Sequence, residues 1–269
     1  MGKSTHRHME RNIKKRAVII GAGNVATHLA IALSQHIQIS QIYSRHITTA
    51  QELCKHIAGA TAINDIALID PSADFYIISI KDDAIKEIVN AVNINNGIWV
   101  HTSGSIPIEV FNGKMKQYGV LYPLQTFTRD VAVDIQDVPF FIEANDNNTL
   151  QAIKSLAHLL SPKVYEADSS IRCTLHTAAV FACNFTNFMW CQADEILHKC
   201  GLSFDIFEPL VKATLDKAVK ISPKEGQTGP ARRGDKNIIT KHLQSLNDEQ
   251  AELYAMLSDK IMKQYNSDI

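Results

Sequence analysis

The stretch Ala17-Val-Ile-Ile-Gly21-Ala-Gly23-Asn-Val-Ala26-Thr-His-Leu-Ala-Ile-Ala-Leu-Ser34 decides the fold. Ala17 to Ile20 read as a buried strand ending at Gly21, and Val25, Leu29, Ala32 and Leu33 follow at helical spacing. Gly21, Gly23 and Ala26 take the three special places of a G-x-G-x-x-G/A turn, in which backbone N–H groups approach a pyrophosphate at a helix N-terminus. The spacing alone also suits an ordinary helix entry. Its place between a strand and a helix near the start of the chain favours a dinucleotide turn, with Gly21, Ala22, Gly23, Asn24 and Val25 as cofactor-binding candidates.

With 269 residues, 45% of them apolar, the chain can bury a full core, and its net charge of −1 offers no electrostatic case for nucleic acid. No apolar run approaches the roughly 18 to 20 residues of a membrane span. The first sixteen residues, MGKSTHRHMERNIKKR, are basic without the apolar core of a signal peptide, so a disordered arm and a cytoplasmic location are expected. Five cysteines without a C-x-x-C pair suit reduced thiols, mostly as small core residues, and no metal site is expected.

Working outward, residues 37–43 form a second predicted strand. An acidic residue at its end would accept from a ribose 2′-OH, whereas an arginine there suits a 2′-phosphate. This chain has Ser44-Arg45-His46, so NADP(H) is favoured, with Ser44 and Arg45 toward the phosphate. Residues 49–58 read as a helix and 60–63 as a short strand. Residues 74–80 form an apolar strand delivering Ser79, Ile80 and Lys81 to the carboxyl edge of the sheet, where Lys81 is either a cofactor contact or a surface lysine.

A fifth strand over 97–101 delivers His101-Thr-Ser-Gly-Ser105, then Pro107 and another helical pattern. Ser105 suits an N-cap and Pro107 a first turn. Thr102 and Ser103 at this edge can also present hydroxyls to a cofactor or to a substrate carboxylate. Residues 120–127, 138–144 and 162–167 read as three further strands, with a helix over 149–160. Pro123 and Pro139 argue for an edge position or a strand start. No strand pattern remains after Ser169, and helices are expected over 170–200, 203–220, 230–246 and 248–264.

The long helix carries His176, Asn184 and Asn187. On an ideal α-helix His176 and Asn184 are rotated by about 80° and lie about 12 Å apart along the axis. They can line two ends of an extended cleft, or else serve a subunit contact. Hydride transfer to a carbonyl or imine calls for a proton donor, and His176 is the leading candidate, because no lysine lies between Arg172 and His198. In the loop Thr228-Gly-Pro-Ala-Arg-Arg-Gly-Asp235, a Gly-Pro turn and a helix cap explain part of the pattern, and Arg233 can clamp a carboxylate with Asp235 orienting it, or else the loop serves a subunit contact.

The segments Val18-Ile-Ile-Gly-Ala-Gly-Asn-Val-Ala26, His101-Thr-Ser-Gly104, Leu121-Tyr-Pro-Leu-Gln-Thr-Phe127, Leu175-His176 with Asn184, and Thr228 to Asp235 together resemble the Rossmann-like oxidoreductases whose helical half is domain of unknown function 2520. That family is related to pyrroline-5-carboxylate reductase, 6-phosphogluconate and β-hydroxyacid dehydrogenases and ketopantoate reductase. The resemblance implies an NADP site between a Rossmann domain and a helical domain that often dimerises. One departure limits it. The hydroxyacid dehydrogenases and ketopantoate reductases use a helix lysine with an asparagine four residues later, where this chain has His176 and Val180.

The expected architecture is therefore α/β. A Rossmann-like doubly wound sheet over residues 17–168 binds NADP, and an all-α domain over 169–269 serves substrate binding and dimerisation. The expected activity is NADP(H)-dependent reduction of a small carboxylated ketone or imine, without a metal, by a homodimer with no nucleic-acid or membrane partner. The alternatives are a non-catalytic NADP-binding sensor or scaffold dimer, and an NADP oxidoreductase using another redox carrier.

Overall fold

The computed structural model describes residues 14–265. The basic arm expected over 1–16 lies outside the described residues up to position 13, and Arg16 already opens the first strand. The chain divides into two compact units, Met1–Val180 and Phe181–Ile269.

The first unit is built on one sheet of eight strands: β1 (Arg16–Ile20), β2 (Gln38–Tyr43), β3 (Thr61–Ile63), β4 (Phe75–Ile78), β5 (Ile98–His101), β6 (Gln117–Pro123), β7 (Phe140–Ala144) and β8 (Val164–Glu166), in the order β3-β2-β1-β4-β5-β6-β7-β8. Every pairing is parallel except β6 with β7. Helices α1 (Asn24–Ser34), α2 (Ile47–Cys54), α3 (Asp82–Ala91), α4 (Asn147–His158) and α5 (Ser169–Ala179) complete the unit.

Strand alternation sorts the core into two layers. Ala17, Ile19, Phe75, Ile77 and Val100 face one way and pack with Leu29, Leu33, Leu53, Ile153 and Leu156 of α1, α2 and α4. Val18, Ile20, Tyr76, Ile78 and Trp99 face the other way, onto Ile85, Ile88 and Val89 of α3 and onto Phe111. The central strands are buried on both faces, which is why they read as continuous apolar runs rather than as alternating ones.

Several expected elements are shorter or differently built. The helical pattern after Pro107 is a single 3₁₀ turn, Ile108–Phe111, because Ile108 and Phe111 three residues apart already bury that face. Residues 124–127, expected to continue a strand, leave the sheet after Pro123. Pro139 does precede its strand, but Pro123 closes β6, a strand flanked on both sides. The missing N–H at Pro123 falls at the last pair of the β6–β7 ladder, where its carbonyl side and the Leu124 N–H to Pro139 carbonyl bond (2.9 Å) carry the pairing onward.

The second unit is helical: α6 (Thr186–His198), α7 (Glu208–Ile221), the short α8 (Pro223–Gly226) and α9 (Pro230–Arg233), α10 (Lys236–Ser245) and α11 (Asp248–Tyr265). The helix expected over 230–246 is broken at Gly234, whose left-handed φ of 73° ends α9. Gln250 is buried inside the unit, donating to Glu195 (3.3 Å) and accepting from Lys199 (3.4 Å). The single helix expected over 170–200 is interrupted by a π-helical segment, Val180–Phe185. The cysteines correct another expectation: all five are free, but Cys54 is half-buried and Cys173, Cys183, Cys191 and Cys200 are exposed, the first three of these on outward-turned helical positions and Cys200 in the turn after α6. Among the described residues no helix is long and apolar enough to cross a membrane.

Candidate active site

The parallel strands β1, β4 and β5 all end at the same edge, and the direction of winding reverses between β1 and β4. There the Gly21 N–H donates to the Tyr43 carbonyl (2.8 Å) while the Ser79 N–H donates to the Ile20 carbonyl (2.8 Å). Gly21 is wedged between the ends of β2 and β4 with φ at 129°, and a Cβ on it would lie 2.0 Å from the Ser79 carbonyl oxygen. Only glycine fits.

Gly23 has a different task. Its carbonyl accepts from the Thr27 N–H (2.9 Å) to start α1, no side chain caps that helix, and no acidic residue occupies its first turn. A Cβ built on Gly23 meets nothing within 4 Å. An uncapped helix N-terminus opening onto free space fits an anion such as the pyrophosphate of a dinucleotide. Ala22 is buried, Asn24 is exposed and donates from Nδ2 to the Phe127 carbonyl (3.0 Å), and Val25 is half-buried against the core.

At the end of β2 the Ser44 hydroxyl bonds that of Thr49 (2.8 Å) and accepts from the His46 N–H (3.3 Å). Arg45 is exposed on the same turn, with no carboxylate between it and Glu52, which is engaged by Lys55 at 2.7 Å. At the ends of β4 and β5, Ser79 is buried and accepts from the Thr102 hydroxyl (3.2 Å), and the Thr102 N–H donates to the Ile78 carbonyl (3.1 Å). Ile80 is half-buried, and Lys81, exposed, precedes α3. The structure thus brings Gly21, Ser79 and Thr102 together on one edge, with Arg45 and Lys81 outside that cluster.

Ser103 is buried, and its hydroxyl accepts from the N–H groups of Ser105 and Ile106, both at 3.1 Å. Ser103 therefore holds the turn expected of Ser105, whose own hydroxyl donates to Asp82 instead. His101 is fully buried, accepts from the Ser103 N–H at Nδ1 (3.2 Å) and stacks on Phe111. Burial, reinforced by the nearby Arg172 charge, drives its pKa down to about 3, so it stays neutral and holds the loop rather than donating protons.

Arg172 on α5 is the hub of this edge. Its side chain is 1% exposed, its Nε donates to the Ser103 carbonyl (3.2 Å), and its terminal nitrogens donate to the Ile106 carbonyl (2.6 Å), to the Ser169 hydroxyl (3.3 Å) and to Glu143 of β7. One turn later, His176 presents Nδ1 to the Tyr122 hydroxyl at 3.1 Å. Burial pushes the Tyr122 hydroxyl up to about 12, so it keeps its proton, and its bond to Nδ1 fixes the orientation of the His176 ring and leaves Nε2 outside that bond. Gly104 fills the angle between them: a Cβ there would sit 2.7 Å from Tyr122 Cζ and 2.8 Å from His176 Cβ.

The remaining candidates lie in the second unit. Asn184 is exposed within the π-helical segment, so the α-helical rotation expected between it and His176 does not hold. Arg233 donates to Asp235 through Nε (3.1 Å) and a terminal nitrogen (3.0 Å), both side chains remaining accessible. A concave surface of about 560 Å³ is lined by Gln227, Thr228, Gly229, Arg232 and Arg233. Asp235 thus orients Arg233 with its second terminal nitrogen spare.

Reasoning from sequence alone missed Tyr122, Glu143 and Arg129, and noted Arg172 without its role. Tyr122 and Phe127 stood in a segment read as plain strand. Arg129, just beyond it, donates to the Ala22 carbonyl inside the glycine turn.

Two family models match the chain, and the second begins within the sheet of the first unit. Residues 16–101 match the family model "NADP oxidoreductase coenzyme F420-dependent", and residues 138–261 match the domain of unknown function DUF2520. No curated protein matches the chain. Among solved structures, protein TM1727 of Thermotoga maritima superposes with a TM-score of 0.76 at 22% identity, over 93% of this chain and 99% of that one. An imine reductase from Myxococcus stipitatus, in complex with NADP+, shares the fold at a TM-score of 0.65 and 13% identity, over 92% of each chain. The protein BF3122 of Bacteroides fragilis, a candidate NADP oxidoreductase by name, is 43% identical over 93% of this chain and 98% of its own, with a TM-score of 0.87. The chain therefore belongs to the NADP oxidoreductase family in which a Rossmann-like N-terminal domain is followed by DUF2520.

Proposed function

We propose that this chain is an NADP(H)-dependent oxidoreductase that reduces a small carboxylated ketone or imine. The observation that carries this reading is the Tyr122–His176 pair, set by Gly104 at the carboxyl edge of a sheet whose glycine turn fits a pyrophosphate. The cofactor, when bound, supplies a hydride. His176 is assigned the proton that the reduced oxygen or nitrogen needs: its imidazolium gives it from Nε2 and is left as the neutral ring, while Tyr122 holds the ring through Nδ1. Ser103 and Thr102 shape the edge. Arg45, with Ser44, is assigned to the 2′-phosphate, and Lys81, Ser79 and Ile80 to the cofactor's approach. Within the second unit, Asp235 orients Arg233 so that it can hold a carboxylate, and Asn184 offers an exposed polar side chain.

A homodimer is part of the same proposal. Phe181, Leu210, Leu215 and Val219 of the second unit are 60 to 80% exposed, apolar side chains of the kind that a subunit contact covers. One specific observation favours a second reading: the family model matched by residues 16–101 is described as coenzyme F420-dependent, so a deazaflavin could be the hydride partner of NADP. Titration with NADPH, followed by a screen of keto acids, cyclic imines and F420, tests both. Turnover of a carboxylated ketone or imine that is lost in His176→Ala supports the first. Turnover only with F420 supports the second, and dinucleotide binding with no turnover at all favours a sensor or scaffold.

A further inference from the structure

We infer that Arg129 is a second phosphate-binding group of the glycine turn, reaching it from the connection between β6 and β7 and contacting the pyrophosphate of the bound dinucleotide. The inference rests on the NADP reading above and adds a residue outside the Rossmann motif.

Three side-chain contacts tie this connection to the start of α1. Asn24 Nδ2 donates to the Phe127 carbonyl (3.0 Å), His28 Nε2 lies 3.0 Å from the Thr128 carbonyl, and the Arg129 guanidinium donates to the Ala22 carbonyl across 107 residues of sequence. Phe127 anchors the connection, buried in the core and 5.0 Å from the His28 ring. The backbone that carries Arg129 is thus held against the turn by groups other than Arg129 itself.

The guanidinium has five N–H donors, and the Ala22 carbonyl is the one partner it has among the described residues. It forms no ion pair there. Glu52 of α2 feels its positive charge, but that carboxylate is engaged by Lys55 at 2.7 Å. A cation fixed by one bond beside Ala22, with its other donors free, stands next to a helix start that has neither a cap nor an acidic residue and an open face at Gly23. Two arrangements that each favour an anion converge on one place, and a guanidinium pairs with phosphate oxygens in a fork. Arg45 lies on a different turn, after β2, where a 2′-phosphate is expected. The two arginines therefore divide the cofactor: Arg129 takes the group that NADPH and NADH share, and Arg45 the group that distinguishes them.

Fluorescence or calorimetric titration of the full chain with NADPH and NADH tests the assignment. Arg129→Ala is expected to weaken both dinucleotides by the same factor, about 10- to 100-fold, as for a lost charge-assisted hydrogen bond. Arg129→Gln, which keeps an N–H for the Ala22 carbonyl, is expected to lose nearly as much affinity with an unchanged melting temperature. Wild-type affinity for NADH should fall with added salt more steeply than that of either variant. Unchanged affinity in Arg129→Gln would reduce Arg129 to a tether of the connection, and a loss confined to NADPH would move it to the 2′-phosphate; either overturns the proposal. Wild-type protein that binds neither dinucleotide overturns the NADP reading itself, whereas binding of both by wild type and by Arg129→Ala alike overturns the Arg129 assignment alone.

Discussion

The Tyr122 hydroxyl and His176 Nδ1 lie 3.1 Å apart, although one residue ends a β-strand and the other sits on a helix 54 positions later. The strand contributes a buried phenol that holds its proton, and the helix contributes a ring whose second nitrogen lies outside the bond between them. Removing the ring is expected to cost the chemical step about 10²- to 10⁴-fold in kcat, the usual worth of a general acid. Steady-state kinetics of His176→Ala should show that loss with NADPH affinity intact. Tyr122→Phe should cost less, because the ring remains. Full kcat in His176→Ala would assign the proton to another donor.

Gly104→Ala tests the packing that sets this pair. Its Cβ would arrive 2.7 Å from Tyr122 and 2.8 Å from His176, so one of them must move. Overpacking of this kind costs about 1–3 kcal/mol in urea unfolding, and kcat should fall even where the protein stays folded. A variant as active and as stable as the wild type would show that the loop shifts freely.

Arg172→Met should be more damaging. It leaves Glu143 without its ion partner and the Ser103 and Ile106 carbonyls without their donors, and breaking a buried pair from one side costs about 3–5 kcal/mol. Adding Glu143→Gln should recover part of that loss in chemical denaturation. No recovery would mean that the carbonyl bonds, not the ion pair, dominate.

His101 makes a prediction about pH. Its folded pKa is near 3 against an ordinary 6.5, so below pH 6.5 the unfolded chain binds a proton that the folded protein refuses. The sign is therefore destabilisation on acidification: the full contribution is present above pH 6.5 and is lost progressively as pH falls toward 3, with a limiting slope of about 1.4 kcal/mol per pH unit. His101→Gln should flatten that acid limb when unfolding free energy is measured across this window. An unaltered limb would place the sensitivity in other groups.

Arg45→Ala should weaken NADPH by about tenfold or more while leaving NADH nearly unchanged, since only NADPH carries the 2′-phosphate. Equal weakening of both would remove Arg45 from that role.

The doubly wound architecture was readable because its causes are local. Ala17 to Ile20 and Phe75 to Ile78 are apolar runs buried on both faces, and the glycine turn announces itself by spacing. The π-helical segment over Val180–Phe185 was not readable, since one extra residue in a turn leaves no mark in composition and neither proline nor glycine flags it. The exposed cysteines misled for a similar reason: a small apolar residue in a helix does not reveal which side meets solvent. Within the site, Gly21 and Gly23 were evident, while Tyr122 looked like any strand aromatic and Arg172 like any helix cation. Their partners lie across the fold, at separations that no local pattern encodes.

The reach of Arg172 bears on how the protein is made. Its bonds to the Ser103 and Ile106 carbonyls span 69 and 66 residues, whereas Gly21 meets its constraint at Ser79. The residues that brace the glycine turn have all been synthesised once Ser79 is out, before Arg172, which braces the loop after β5, has been added to the chain.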